Sequence, residues 1–270
     1  GQENMSRAPH VLTDSRTGAQ LGNSQLIDSL VHDGLWDAVN DYHMGVTAEN
    51  PEREYGISRE QQDAGARSAQ QKARRASDSG RFRDEIVPVV NLQPGGSLIV
   101  DTDEQPQTDA SAEALARLVP SFDQAGSVTA GNASSINDGA AAVLMMSESK
   151  ALELGLPILA RFRAFASVGV DPALMGIAPV YATRRCLERA GWQLSDVDLI
   201  EANEAFAAQA ISVGRMLEWN EQKVNVNGGA IALGHPIGAS GCRILVSLVH
   251  EMVKRDARKG LATLCIGGGQ

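Results

Sequence analysis

The chain has 270 residues, enough for one large domain or two modest ones at roughly 150 residues each, which excludes a small disulfide-stapled scaffold. Hydrophobic residues make up 43% and charged residues 21%, ordinary globular usage that excludes a disordered or collagen-like chain. The net charge of −9 is uneven, with 12 basic and 23 acidic residues in 1–157 against 12 and 10 in 158–270, and an acidic chain makes a poor coat for nucleic-acid phosphates.

Residues 6–136 form the polar part of the chain. Leu26, Ile27, Leu30, Val31 and Leu35 recur at i, i+1, i+4, i+5 and i+9, which predicts a short helix over 24–38 with one apolar stripe. Ser58 with Gln61 three residues later is a capping box opening a longer helix to about Ser77, rich in Ala, Gln and Arg, so it packs closely or lies at a surface. Ile86–Leu92 and Ser97–Val100 read as strands around Pro94-Gly95-Gly96. Ala112–Leu118 is another helix, ended by Pro120.

The composition changes at residue 137. Ala140-Ala141-Ala142-Val143-Leu144-Met145-Met146 is a continuous apolar run that predicts a strand buried on both faces. Ser147–Leu154 is a short helix stopped by Gly155, Ile158–Ser167 a strand, and Pro179–Ala190 a helix closed by Gly191. Val197–Glu201 is a strand, Ala205–Leu217 a helix, Val224–Val226 a brief strand, Gly241–Arg255 a helix and Gly260–Ile266 a strand. Strands alternating with helices of this length define an α/β architecture.

No window reaches the roughly 18 apolar residues of a membrane helix, and the first thirty residues lack the basic-then-apolar order of a signal peptide. The expectation is a soluble, cytoplasmic protein that meets no membrane. Cys186, Cys242 and Cys265 suit neither a disulfide framework nor a zinc site, so no metal is expected. A first residue Gly1, and a last stretch Gly267-Gly268-Gly269-Gln270 that reads as a loop, suggest an excerpt of a longer protein.

Three segments carry chemistry. From Asn225 to Gly241 five glycines fall within fourteen residues, giving a loop whose backbone can approach a ligand closely and which feeds a helix N-terminus. Within it His235 precedes Pro236, which confines its backbone to extended conformations. In the second segment Cys265 ends an apolar strand, where a cysteine is ordinarily a small buried hydrophobe; the glycines directly after it leave N–H groups free to stabilise an oxyanion. In the third, Glu201-Ala202-Asn203-Glu204-Ala205-Phe206, Asn203 stands where a strand turns into a helix, as an N-cap or as a ligand-facing group at a strand end. His10, His32, His250, Cys186 and Cys242 have no partner motif and read as structural.

Asn203-Glu204-Ala205-Phe206, Gly234-His235-Pro236-Ile237-Gly238 and Cys265-Ile266-Gly267-Gly268-Gly269, with Tyr42-His43-Met44-Gly45 and Thr129-Ala130-Gly131-Asn132-Ala133-Ser134, resemble the thiolase family, closest to its biosynthetic acetyl-CoA acetyltransferases. The resemblance runs in order from Gly1 to Gln270. It implies two layered βαβαβαββ halves with an inserted loop domain, the first half largely missing here. Residues 1–5 would be a remnant of the N-terminal half, 6–136 the loop domain that binds CoA and makes a homotetramer, 137–157 the end of that first half, and 158–270 the C-terminal half.

The implied reaction is the reversible Claisen condensation of two acetyl-CoA to acetoacetyl-CoA and CoA through an acyl-cysteine, with the CoA thioester as substrate and no cofactor. Cys265 resembles the acid/base that removes the α-proton. His235 resembles the group that activates the nucleophilic cysteine and donates to the enolate oxygen. Asn203 would hold a water for that oxyanion, and Gly267 would donate its N–H to the acyl-enzyme oxygen. Leu35, His43, Met44, Phe122, Ala130, Ser134, Met175 and Phe206 resemble residues lining the pantetheine and acyl pocket, with ordinary core packing as the alternative for the apolar ones. The His43-Met44 pair resembles the small-acyl branch. A longer-chain 3-ketoacyl-CoA thiolase is one competing reading; the other, for this chain alone, is a silent CoA-binding fragment, because the family's nucleophilic cysteine lies on a segment ahead of the one matching Gly1. The family often has an arginine where Gln107 stands, touching the nucleotide end of CoA. Arg67, Lys72, Arg74, Arg75, Arg81 and Arg83 either compensate or form a solvated helix face.

Overall fold

The computed structural model describes residues 1–18, 21–106 and 110–270; Gln107 lies outside them. Strand β1 (Gln2–Asn4) is followed by an antiparallel pair, β2 (His10–Leu12) and β3 (Leu26–Asp28), and by two short paired strands, β4 (Trp36–Asp37) and β5 (Tyr42–His43). The helix predicted over 24–38 is therefore corrected. Leu26, Ile27 and Asp28 pair with Leu12, Val11 and His10, Ser29 donates to the Pro9 carbonyl, and only Leu30–Gly34 coils, as a single wide turn. Cross-strand hydrogen bonds have overridden a weak local stripe.

Helix α1 (Met44–Tyr55) carries Pro51 inside it and was not announced by any apolar period. Helix α2 (Arg59–Asp78) opens on the expected capping box. Its Ala66, Ala69 and Ala73 are buried with Ala207, Ile231 and Ala232, so the alanine-rich face serves close packing. The hairpin β6 (Val89–Gln93) and β7 (Gly96–Val100) is exposed along both strands, and α3 (Ala112–Ala116) follows.

Strand β8 (Asp138–Ala140) pairs antiparallel with β1, joining Gln2 to Ala140. The ladder ends with bonds between Gly1 and Ala141. Val143, Leu144 and Met145 beyond it are exposed and unpaired, so the predicted doubly buried strand over 140–146 is not formed: among the described residues no strand pairs with it beyond Ala141. After α4 (Glu148–Glu153), capped by Ser147 as expected, residues 158–167 also form no strand. They run past α5 (Ala178–Ala190), held where Cys186 Sγ donates to the Ala164 carbonyl and Arg189 to that of Phe165.

The buried centre is β9 (Leu199–Ala202), followed by α6 (Ala207–Leu217), the one-turn α7 (Ala230–Leu233), α8 (Ile237–Arg255) and β10 (Gly260–Thr263). Strands β9 and β10 are parallel in the register Ala202↔Thr263. Leu187, Val197, Ile200, Ala202, Val224 and Leu261 form the apolar body around them, with α8 packed on both strands. Residues 224–226 make only one bridge, Val224 to Ile200, not a strand. Helix α8 starts four residues before the expected Gly241 because Pro236, which has no N–H to lose, stands at its N-cap.

Candidate active site

The parallel register brings Asn203 and Cys265 to the same carboxyl edge of the sheet, where α/β proteins bind ligands. Asn203 leaves β9 with its N–H donating to the Thr263 carbonyl at 3.0 Å. Its Nδ2 meets His235 Nε2 at 3.3 Å. Asn203 Oδ1 is buried with no hydrogen-bond partner among the described residues.

His235 is held from three sides. Its backbone N–H donates to Asn137 Oδ1 at 3.1 Å, an approach open only because residue 234 is a glycine at φ +94, where a Cβ would lie 2.5 Å from Asn137. Its Nδ1 lies 2.6 Å from Ser240 Oγ, and Ser240 Oγ–H donates to the Pro236 carbonyl at 2.9 Å. The serine's single proton is thereby committed, so Nδ1–H is the donor to Oγ and Nε2 is the bare nitrogen that Asn203 addresses. Burial, aided by the Arg243 charge, pulls the imidazole pKa down to about 4. At neutral pH the ring is an uncharged base with its lone pair on Nε2.

Arg243 sits on α8 behind this pair, with Nη1 3.7 Å from Glu201 Oε2, an ionic contact without a hydrogen bond. Burial pushes the Glu201 carboxyl up to about 8 despite that cation. Ser240, Asn137 and Arg243 were not singled out from sequence; Ser240 belongs to the same glycine-rich segment as His235, but its contact depends on the first turn of α8.

Cys265 has a different setting. It is buried among Met44, Met175 and Ala205, with Phe206 against them, and burial raises its thiol to about 11. Gly267 stands beside Met44, whose Cε a Cβ would meet at 2.7 Å. Bonds between Ile266 and Gln270 close this turn and leave the Gly267 N–H outside them.

Most of the predicted lining residues converge here. The His43 ring stacks on Phe122 with centroids 4.7 Å apart, and Phe122 meets Phe206 edge-on. Ser134 donates its N–H and hydroxyl to the Ala205 carbonyl, and Leu35 accepts the Met44 N–H. Ala130 is exposed on the turn after Thr129, away from these contacts. Of the basic concentration, Lys72 donates to the Val224 carbonyl and Arg81 pairs with Glu251, while Arg67, Arg74, Arg75 and Arg83 are exposed.

An asparagine in contact with an uncharged histidine, and a buried cysteine at the same edge of a parallel strand pair, define an α/β protein whose candidate site lies where such folds bind ligands. Family profiles for the thiolase N-terminal domain and the thiolase C-terminal domain match residues 1–149 and 156–270, and the chain belongs to the thiolase family. It is 84% identical to a probable acetyl-CoA acetyltransferase of Escherichia coli (strain K12) and 65% identical to an acetyl-CoA acetyltransferase of Pseudomonas aeruginosa, covering all of this chain and 69% of each relative. The solved acetyl-CoA acetyltransferase of Bacillus anthracis superposes with a TM-score of 0.97 at 46% identity, covering 100% of this chain and 68% of that one. Human mitochondrial 3-ketoacyl-CoA thiolase superposes at 0.92 and 41%, with the same coverage. The expected thiolase fold is thereby borne out.

Proposed function

We propose that this chain belongs to an acetyl-CoA acetyltransferase that condenses two acetyl-CoA into acetoacetyl-CoA and CoA. The observation that carries the reading is the Asn203–His235 contact at 3.3 Å, at the same sheet edge as a cysteine whose thiol burial raises to about 11.

His235 Nε2 takes the proton of the acyl-accepting cysteine, a residue with no counterpart among Cys186, Cys242 and Cys265. The resulting thiolate attacks the acetyl carbonyl, and CoA leaves with its sulfur electron pair. The Cys265 thiol protonates that leaving sulfur and becomes the thiolate base for the next step. A second acetyl-CoA then loses an α-proton to Cys265. Its enolate oxygen is met by the proton now on His235 Nε2 and by a water held at Asn203, whose unpaired Oδ1 suits such a partner. The α-carbon attacks the acetyl-enzyme carbonyl, its oxygen stabilised by the Gly267 N–H, and the C–C bond forms as the C–S bond to the enzyme breaks, the released thiolate taking its proton back from His235 Nε2.

Met44, Met175 and Phe206 around Cys265 support a short acyl pocket. His43, Phe122 and Ser134 would line the pantetheine arm, and Leu35 and Ala130 its outer rim. Residues 6–136 would act as the CoA-binding loop domain, lying between segments 1–5 and 137–157 of one thiolase half, with 158–270 as the other. The exposed β6–β7 hairpin, with Val89, Leu92, Leu98 and Ile99 open to solvent, is the surface through which a homotetramer would form. Free thiols at all three cysteines and the lack, among the described residues, of any helix long and apolar enough to cross a membrane accord with a cytoplasmic site of action.

The test is an assay of the full-length protein for condensation with acetyl-CoA and for thiolysis with CoA and a series of 3-ketoacyl-CoA substrates. Acetoacetyl-CoA formation, and kcat/KM falling steeply beyond four carbons, is the expected result. Undiminished turnover of long chains would make it a long-chain thiolase instead.

A further inference from the structure

Among the described residues, strand β9 has a backbone neighbour on only one side at its carboxyl end. Strand β10 pairs with it as far as Ala202 and then receives the Asn203 N–H. On the other side the described residues offer a single bridge, Val224 to Ile200, followed by the Asn225 N–H donating to the Ile200 carbonyl at 2.9 Å. There the backbone turns away, with Asn225 at φ +44. Its side chain takes over what the backbone abandons. Oδ1 accepts the Ala202 N–H at 2.8 Å, and Nδ2 donates to the Ala202 carbonyl at 2.8 Å.

A planar amide with one donor and one acceptor aimed at one residue reproduces a rung of the ladder. The same Nδ2 also donates to Glu204 Oε1 at 3.0 Å, and Glu204 Oε2 accepts the Ile231 N–H at 3.3 Å, which ties the rung to the glycine-rich segment that leads to His235. The residues on either side of Asn203 are thus both held by the Asn225 carboxamide. Asparagine is the side chain that tolerates a left-handed backbone and supplies both hydrogen-bonding functions at this length.

We propose that Asn225 is a positioning residue of the condensation: its side chain, standing in for a missing strand, fixes Ala202 and Glu204 and so sets the Asn203 amide against His235 Nε2. The inference rests on the catalytic reading above and adds to it a residue that touches no substrate.

The experiment is a double-mutant cycle in the full-length protein, read by steady-state kinetics with acetyl-CoA. Asn225→Gly keeps the backbone angle and removes the amide. Asn225→Asp keeps size and the acceptor, loses both donated bonds, and sets a second carboxylate beside Glu204. Each should lower kcat by about 10- to 100-fold, the scale of a small misplacement at a reacting centre, with KM within about threefold. In an Asn203→Ala background the same substitutions should lower kcat by less than about twofold, because Asn225 acts through Asn203. A full, additive loss in that background overturns the proposal, as does unchanged kcat in the single variants. If both variants lose the fold by thermal melting, the residue serves the sheet rather than Asn203 and the proposal falls. Should Asn203→Ala alone leave condensation intact, it is the catalytic reading of Asn203 that fails, a result separate from any effect of Asn225.

Discussion

His235 and Cys265 sit at the same sheet edge but in opposite surroundings. The histidine is gripped by polar atoms: Asn137 at its N–H, Ser240 at Nδ1 and Asn203 at Nε2. The cysteine is packed by Met44, Met175, Ala205 and Phe206. The two settings control different quantities. Directed hydrogen bonds choose the tautomer and aim the ring, while an apolar slot raises the energy of the thiol's charged form. The polar side supplies geometry and the apolar side supplies proton affinity.

The largest test of that division removes the groups themselves. His235→Ala and Cys265→Ala should each lower the condensation rate of the full-length protein by about 10²- to 10⁴-fold, the range of general acid–base catalysis; a loss below tenfold would remove either from the mechanism. Next comes Ser240→Ala, which deprives Nδ1–H of its acceptor and frees the ring to change tautomer. A fall in kcat of about 10- to 100-fold with KM unchanged is expected, whereas a change in KM alone would assign Ser240 to binding.

Proton affinities separate the two sides further. The His235 pKa is lowered, so the neutral base persists on acidification, and initial rates of cysteine acylation should drop only as pH falls towards 4; an acid limb near pH 6 to 7 would contradict the buried, Arg243-facing ring. The Cys265 pKa is raised, so its alkylation by iodoacetamide, followed by peptide mass spectrometry, should quicken about tenfold per pH unit up to about 11. A plateau near pH 8 would mean an ordinary exposed thiol.

The smallest effect compares one substitution on the two sides. A Cβ at Gly229 would lie 2.2 Å from Glu204 Cδ, a group pinned by Asn225 and Ile231. Gly229→Ala should cost about 1–3 kcal/mol of stability as overpacking. At Gly267 the obstacle is the flexible Met44 Cε, which can swing aside, and Gly267→Ala should cost under about 1 kcal/mol by denaturant titration. Equal costs would erase the distinction between a rigid and a compliant wall.

Helices with explicit ends were legible in the sequence. The Ser58 and Gln61 capping box, Ser147 before α4 and Gly191 after α5 each mark a terminus through local backbone hydrogen bonding. Apolar runs without a partner were not legible. The stretches 140–146 and 199–202 are both rich in aliphatic residues, yet only the second is buried, because β10 and α8 lie against it. Whether an apolar run becomes a strand depends on a neighbour far away in the chain. The site divided the same way. Asn203, His235 and Cys265 were readable as motifs, while Asn137 is a distant acceptor for the His235 N–H and Ser240 a partner created by one turn of helix.

By itself the sequence determined the family, the α/β class and the residues of the candidate site, because these reside in residue types at fixed local spacings. The tertiary structure alone decided which nitrogen of His235 is bare, how high the Cys265 thiol is raised and that Asn225 completes the end of β9. Each of these depends on where a proton, an apolar wall or an amide lies in space, and such proximities arise only when segments distant in sequence are packed together.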